Sequence, residues 1–255
     1  MMAALTASMR RGESGAVATP GTWLRSWAQP DPGLEDRRGR RVVFVSHCLL
    51  NENTRYAGGA FTEGVIPAVV DHCATERAGM VQMPCPEQAA WGGVLKRWMW
   101  VAVLAGRRAP RALRGPAIRL LIAVTRARYG RVAGRVCRQI RDFVSSDYDV
   151  FAIVGVYGSP SCGVETRLDA SVVLGAMMDG PAADADTFNR DVIRGAARAG
   201  PGWFTDALAR ELARGGVDIP FRAVDLLEEM HGSTVVKVSS RPTGDGHTGP
   251  RRNTT

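Results

Sequence analysis

Lysine is almost missing from this sequence. Of 33 basic residues only Lys96 and Lys237 are lysines, and the arginines gather in the two tails and one internal stretch. A formal charge of +8 and a pI near 9.8 would fit an anionic partner such as nucleic acid or a membrane surface. Gathered as they are, the arginines are read first as tails and a solvated face. Long apolar runs are missing too. The longest, 98–105, falls well short of the roughly 20 residues that cross a bilayer, so no transmembrane span is expected. Five cysteines is an odd number for a disulfide scaffold, and no charged-then-apolar leader precedes them. A reducing, cytoplasmic location is the expectation. There is also no CxxC pair, the usual mark of structural zinc.

What the chain does have is a motif used three times: a short apolar run that stops at a cysteine. Residues 42–45, Val-Val-Phe-Val, lead through Ser46 and His47 to Cys48. Residues 79–84 lead to Cys85, and 150–156 lead through Tyr157-Gly158-Ser159-Pro160-Ser161 to Cys162. Such runs read as buried parallel strands. The edge where they end is where open α/β sheets bind ligands. With 255 residues and 45% hydrophobic content, the chain has enough apolar material for a full core. The expected class is α/β: a single three-layer domain built on a mostly parallel, Rossmann-like sheet, carrying a helical basic insertion at about 91–145. Residues 1–40 and 239–255, rich in Gly, Ser, Thr, Pro and charge, read as a flexible segment and a disordered tail flanking a domain over 41–238.

The connecting segments read mainly as helices. Val65, Ile66, Val69, Val70 and Cys73 recur at helical spacing within 63–77, giving a strand–helix–strand unit. In the insertion, 91–104 is aromatic and apolar, 106–115 is a basic, turn-rich break, and a stripe from Ile118 to Phe143 through Tyr129 marks a long helix with arginines on its other side. A basic amphipathic helix can lie on anionic lipid or grip phosphates, but arginines more often form a solvated face or snorkel. Further on, 168–178 and 202–215 read as helices, 182–199 as a helix broken at Gly195, and 217–224 as an edge strand because it contains Pro220.

The three cysteine loops carry the chemistry. Cys48 opens a polar run, Asn51-Glu52-Asn53-Thr54-Arg55; Cys85 is held between Pro84 and Pro86 with Glu87 next; Cys162 precedes Gly163, which would let backbone approach a bulky ligand. Soft thiolates favour zinc, copper(I) or an iron–sulfur cluster. His47 offers a fourth ligand but neighbours Cys48 and would point away. Three separated cysteines fit a [4Fe–4S] cluster with one iron free of protein thiolate. On spacing alone this stands beside the ordinary reading of free cysteines as core residues, the reading given to Cys73 and Cys137.

The words SHCLLNENTRYAGG, PCPEQ and SPSCG resemble the three signatures of the TudS (thiouracil desulfidase)-related family, in its Ser-His-Cys-Leu-Leu-Asn branch. The pattern Gly202-Trp203-Phe204, Leu208, Leu212, Gly216-Val217, Pro220 is similar to that branch as well, so the resemblance covers roughly 41–225. It implies Cys48, Cys85 and Cys162 as ligands of a [4Fe–4S] cluster. It also implies non-redox hydrolysis of a small thiolated compound, such as a thiolated pyrimidine, whose sulfur binds the open iron. Better-known members read Cys-Leu-Leu-Gly and Arg-Tyr-Asp-Gly, where this chain has Asn51 and Ala57, and a basic insertion stands where a Pro-Arg segment usually follows. Ligation therefore carries over better than substrate identity.

Position and residue type assign the remaining roles. Glu87 is the candidate for moving protons, set against capping of a helix that begins after Pro86. Ser161 is placed with it in catalysis, and Ser159 and Ser161 are also expected to donate hydrogen bonds to cluster sulfurs. Asn51, Asn53, Arg55 and Ser159 are expected at the substrate, although asparagines in a loop often serve turn geometry alone. Two other classes remain open: an iron–sulfur or zinc sensor without catalysis, and an RNA-binding accessory protein that uses the basic insertion.

Overall fold

The structure is a computed structural model that describes residues 35–56, 59–180, 192–226 and 236–237. The expected flexible start, apart from its last few residues, and the expected tail both lie outside these. The chain divides into two compact units, Met1–Arg38 and Gly39–Thr255. In the first, Arg37 pairs with Glu35 and Arg38 with Asp36.

In the second unit, short β-branched and aromatic runs form a sheet. Strand β1 (Arg41–Val45) lies between β2 (Gly79–Gln82) and β3 (Asp149–Val156), and β6 (Phe221–Val224) extends the sheet beyond β3, all four parallel. A two-residue strand β7 (Val236–Lys237) adds antiparallel to β6. The order β2-β1-β3-β6 is that of a doubly wound α/β sheet. Side chains alternate across β1, as strand geometry requires. Phe44 meets Phe143 edge to face at 5.8 Å on one side of the sheet, whereas Val43 lines a small cavity with Val69 and Cys73 on the other. Helices thus cover both faces, and the α/β reading holds.

The helix between β1 and β2, α2 (Pro67–Thr75), starts later than its periodicity implied because Pro67 fits the first helical turn. It follows α1 (His47–Leu50) and a 3₁₀ turn at Glu52–Thr54. After β2 come α3 (Pro86–Trp91), α4 (Arg97–Arg108) and α5 (Arg111–Ser145). The break expected at 106–115 shrinks to Ala109 and Pro110. Gly106 stays helical because its missing side chain makes room for Met178, and Pro116 is carried inside the next helix. At 35 residues α5 is about 52 Å long, from the helical rise per residue. Tyr129, Val132, Val136 and Ile140 are its buried stripe. Against it packs α8 (Trp203–Arg214) through Phe204, Leu208 and Leu212, spaced i, i+4, i+8.

Two expectations need correction. The helix read over 182–199 is, in its described part, a single turn α7 (Arg194–Ala196) followed by β5 (Ala197–Ala199), which pairs antiparallel with β4 (Thr166–Leu168). The rest of that segment lies outside the described residues. The helix after β4, α6 (Ala170–Asp179), is capped by Asp169, whose side chain accepts from Ser171 N. Second, the strand with Pro220 is interior. Pro220 precedes β6, and its carbonyl accepts from Ile153 N, so the missing N–H falls outside the ladder. Among the described residues no helix is long and apolar enough to cross a membrane.

Candidate metal centre

Strands β1, β2 and β3 run parallel, so their C-terminal ends share one edge of the sheet, and each is followed by a cysteine. Cys48 sits in the first turn of α1, Cys85 is the N-cap residue of α3, and Cys162 closes the loop after β3. None is in a disulfide. The three thiols lie close enough that charge on Cys48 or Cys85 would raise the pKa of Cys162. Burial is the larger cause throughout: it pushes Cys162 well above its ordinary value, raises Cys48, and with Glu87 brings Cys85 up to about 11. Among the described residues no three His, Cys, Asp or Glu side chains are grouped to hold a metal ion.

Backbone packing fixes the Cys162 loop. Cys162 O accepts from Val156 N, Cys162 N donates to Ser159 Oγ, and Gly163 bridges to Val156. A side chain on Gly163 would overlap the carbonyls of Ser159 and Thr166. The glycine thus serves chain-to-chain contact, a correction to its reading as room for a ligand. Ser46 Oγ is buried without a hydrogen-bond partner among the described residues. It faces the Cys162 sulfur, whose thiolate it would stabilise.

Glu87 stands beside the thiols with both oxygens engaged. Ser161 Oγ donates to Oε1 at 3.0 Å, and Lys96 Nζ lies 3.0 Å from Oε2. Ser159 Oγ and Ser161 Oγ are 3.2 Å apart, which links the serines in one chain of hydrogen bonds. Lys96 is 5% exposed, takes a left-handed backbone (φ 49°) at the start of α4, and also donates to Thr54 O at 3.4 Å. Glu87 falls in the first turn of α3, whose N-cap residue Cys85 makes no side-chain cap. Tyr129 of α5 completes the surround: it is buried near Glu87, Cys162 and Cys85, and burial holds its hydroxyl well above the usual tyrosine range.

The polar run after Cys48 divides in two. Asn51 accepts from Asn53 N at 3.2 Å and Asn53 Nδ2 at 3.1 Å, the geometry of a turn, and Asn53 is exposed. Arg55 points inward and hydrogen-bonds Cys48, lowering its pKa against the burial. What aims Arg55 is Glu52, fully buried, with Oε1 3.6 Å from Arg55 Nε and Oε2 accepting from Phe61 N at 2.7 Å. Arg55 Nη1 also donates to Gly59 O.

Glu52, Lys96, Tyr129 and Ser46 are site residues that sequence reasoning passed over. Only Lys96 carried a signal, as a lysine inside a stretch that otherwise uses arginine. Tyr129 sits on the apolar stripe of α5 like any core residue. His47 donates to the Met83 backbone, and burial lowers its pKa. Cys73 and Cys137 are buried in the core. The cavity lined by Arg126, Trp203 and Arg210, about 190 Å³, is a separate groove between α5 and α8 walled by surface ion pairs.

No family model and no solved structure matches the chain. A stretch of 50 residues is 38% identical to "Uncharacterized protein MJ0003" of Methanocaldococcus jannaschii, covering 20% of this chain and 32% of that relative.

Proposed function

We propose that the chain is a desulfidase of the TudS-related kind, which holds a [4Fe–4S] cluster on Cys48, Cys85 and Cys162 and replaces the sulfur of a small thiocarbonyl compound with the oxygen of water. The observation that carries this reading is three thiols at one sheet edge, Cys162 buried and Cys48 and Cys85 half-buried, with Glu87 and Ser161 beside them. The donor set fits the group. Burial keeps all three thiols protonated, and a soft, multiply charged partner would displace those protons. Ser46 Oγ, Arg55 and Lys96 are donors aimed at sulfur or at its charge, and Ser46 has no other partner among the described residues.

The cluster, when bound, supplies an iron without a protein thiolate that acts as a Lewis acid toward a soft sulfur atom. The protein does the rest. Glu87 takes a proton from the attacking water and returns one to the departing sulfur, with Ser161 and Lys96 holding its two oxygens in place. Arg55, fixed by Glu52, keeps positive charge beside Cys48. Ser159 fixes the Cys162 loop by accepting from Cys162 N and binds substrate from there. Asn51 and Asn53 shape the loop that carries Arg55.

The test is chemical analysis followed by assay. Protein purified without oxygen should hold about four irons per chain, the stoichiometry of a cysteine-ligated cubane, and release sulfide from members of a panel of thiolated pyrimidines. Glu87→Gln should keep the iron and lose sulfide release. Colourless protein with one zinc would overturn the proposal; iron without sulfide release from any compound would leave the sensor reading in its place.

A further inference from the structure

Helix α4 is apolar on both sides. Its inner face, Met99, Val103 and Gly106, packs with Leu174 and Met178 of α6. Its outer face turns Trp98, Trp100, Val101 and Leu104 outward, with Trp98 63% exposed, and Arg97 and Arg108 stand at its ends. On α5 a second outward stripe, Leu113, Ala117, Leu120 and Val124, follows i, i+4, i+7, i+11, and Leu120 is 68% exposed. Large apolar side chains exposed in such number along two consecutive helices are uncommon on soluble surfaces.

Charge identifies what covers it. From Gln88 to Arg141 the chain has thirteen Lys or Arg and no Asp or Glu. Arg97, Arg108, Arg111 and Arg119 are exposed and make no ion pair among the described residues. A nucleic acid would meet such arginines but would leave Val101, Leu104 and Leu120 in water. A second copy of this chain would set like charges together. Arginine framing tryptophan, leucine and valine, with Asp179 of α6 answered by Arg114, matches the headgroup layer of an anionic bilayer, where aromatic rings and apolar side chains sink and arginines meet phosphate. Among the described residues no helix is long and apolar enough to cross a membrane, and the contact these side chains offer is with the surface.

We infer that the outer faces of α4 and the first half of α5 dock the protein on an anionic lipid surface. This is independent of the desulfidase reading. The experiment is flotation of the full chain with mixed phosphatidylglycerol–phosphatidylcholine vesicles and with phosphatidylcholine alone, at low and high salt. Binding to the anionic vesicles only, weakened by salt, is expected. Trp98→Ser with Leu104→Ser should lower it about tenfold through lost apolar insertion. Arg97→Gln and Arg108→Gln should each lower it about fivefold. Circular dichroism of these variants should match the parent, since every altered side chain is exposed. No binding to anionic vesicles would overturn the inference. So would binding that survives Trp98→Ser with Leu104→Ser, binding abolished by nuclease, or a dimer that replaces vesicle binding and dissolves in the same variant.

Discussion

Lys96 is the residue on which the candidate centre depends most visibly. Arginine could not replace it: a guanidinium is planar and wide, while the space between Glu87 Oε2 and Thr54 O admits a compact ammonium. Removing the charge as Lys96→Met leaves Glu87 with one donor and a buried vacancy. Glu87 keeps some solvent contact, so the loss should fall at the low end of buried-pair costs, about 3 kcal/mol by denaturant midpoint. Sulfide release should fall with it and should not return in Lys96→Arg. A second residue-scale prediction concerns Cys85 in metal-free protein. Its folded pKa of about 11 lies above the ordinary 9.0, so its contribution to stability is complete below about pH 9 and is lost as pH rises through 11. Denaturant midpoints taken across that range should fall for the metal-free chain and fall less for Cys85→Ser.

At the scale of elements, β1 and α4 make opposite predictions from the same kind of substitution. Phe44 is fully buried against Phe143, and Phe44→Ala should cost about 3–5 kcal/mol. Trp98 is larger, yet Trp98→Ala should change stability by no more than about 1 kcal/mol, because most of its ring already faces water and one edge rests on Gly92. A large loss from the second would mean that α4 is covered in solution. The two elements also differ in how far sequence reveals them. A strand such as 42–45 is buried on both faces, so composition alone gives it away, and the motif that follows marks the cysteines. Helix α4 shows no difference in sequence between its packed and its open face, since both are apolar. Only the position of α6 decides which is which. The same holds inside the site. Cys48, Cys85 and Glu87 sit in local words, whereas Lys96 and Tyr129 reach the site through folding of the insertion, and nothing near them in sequence points there. Asn51 and Asn53 carry a turn whose hydrogen bonds join neighbours in sequence, a use of loop asparagines that residue type alone suggests beside substrate contact.

For the whole molecule, the decisive property is that the three proposed ligands belong to segments far apart in sequence and joined only at one sheet edge. A group bound there links the ends of β1, β2 and β3 directly, and whatever binds the folded state alone stabilises it. Stripping the metal with a chelator should therefore lower the melting temperature by several degrees, and iron should restore it. The five cysteines should then separate into two classes. Cys48→Ala, Cys85→Ala and Cys162→Ala should each lose iron and with it the stabilising effect of iron on melting. Cys73→Ala and Cys137→Ala, buried in the core, should keep full iron and lose about 1 kcal/mol, the cost of a small cavity. Iron content and melting temperature measured on all five variants would show the division, and full iron in Cys162→Ala would mean that the edge does not hold the group. The division follows from position: two of the cysteines sit on helix faces turned to the core, and three sit where parallel strands end.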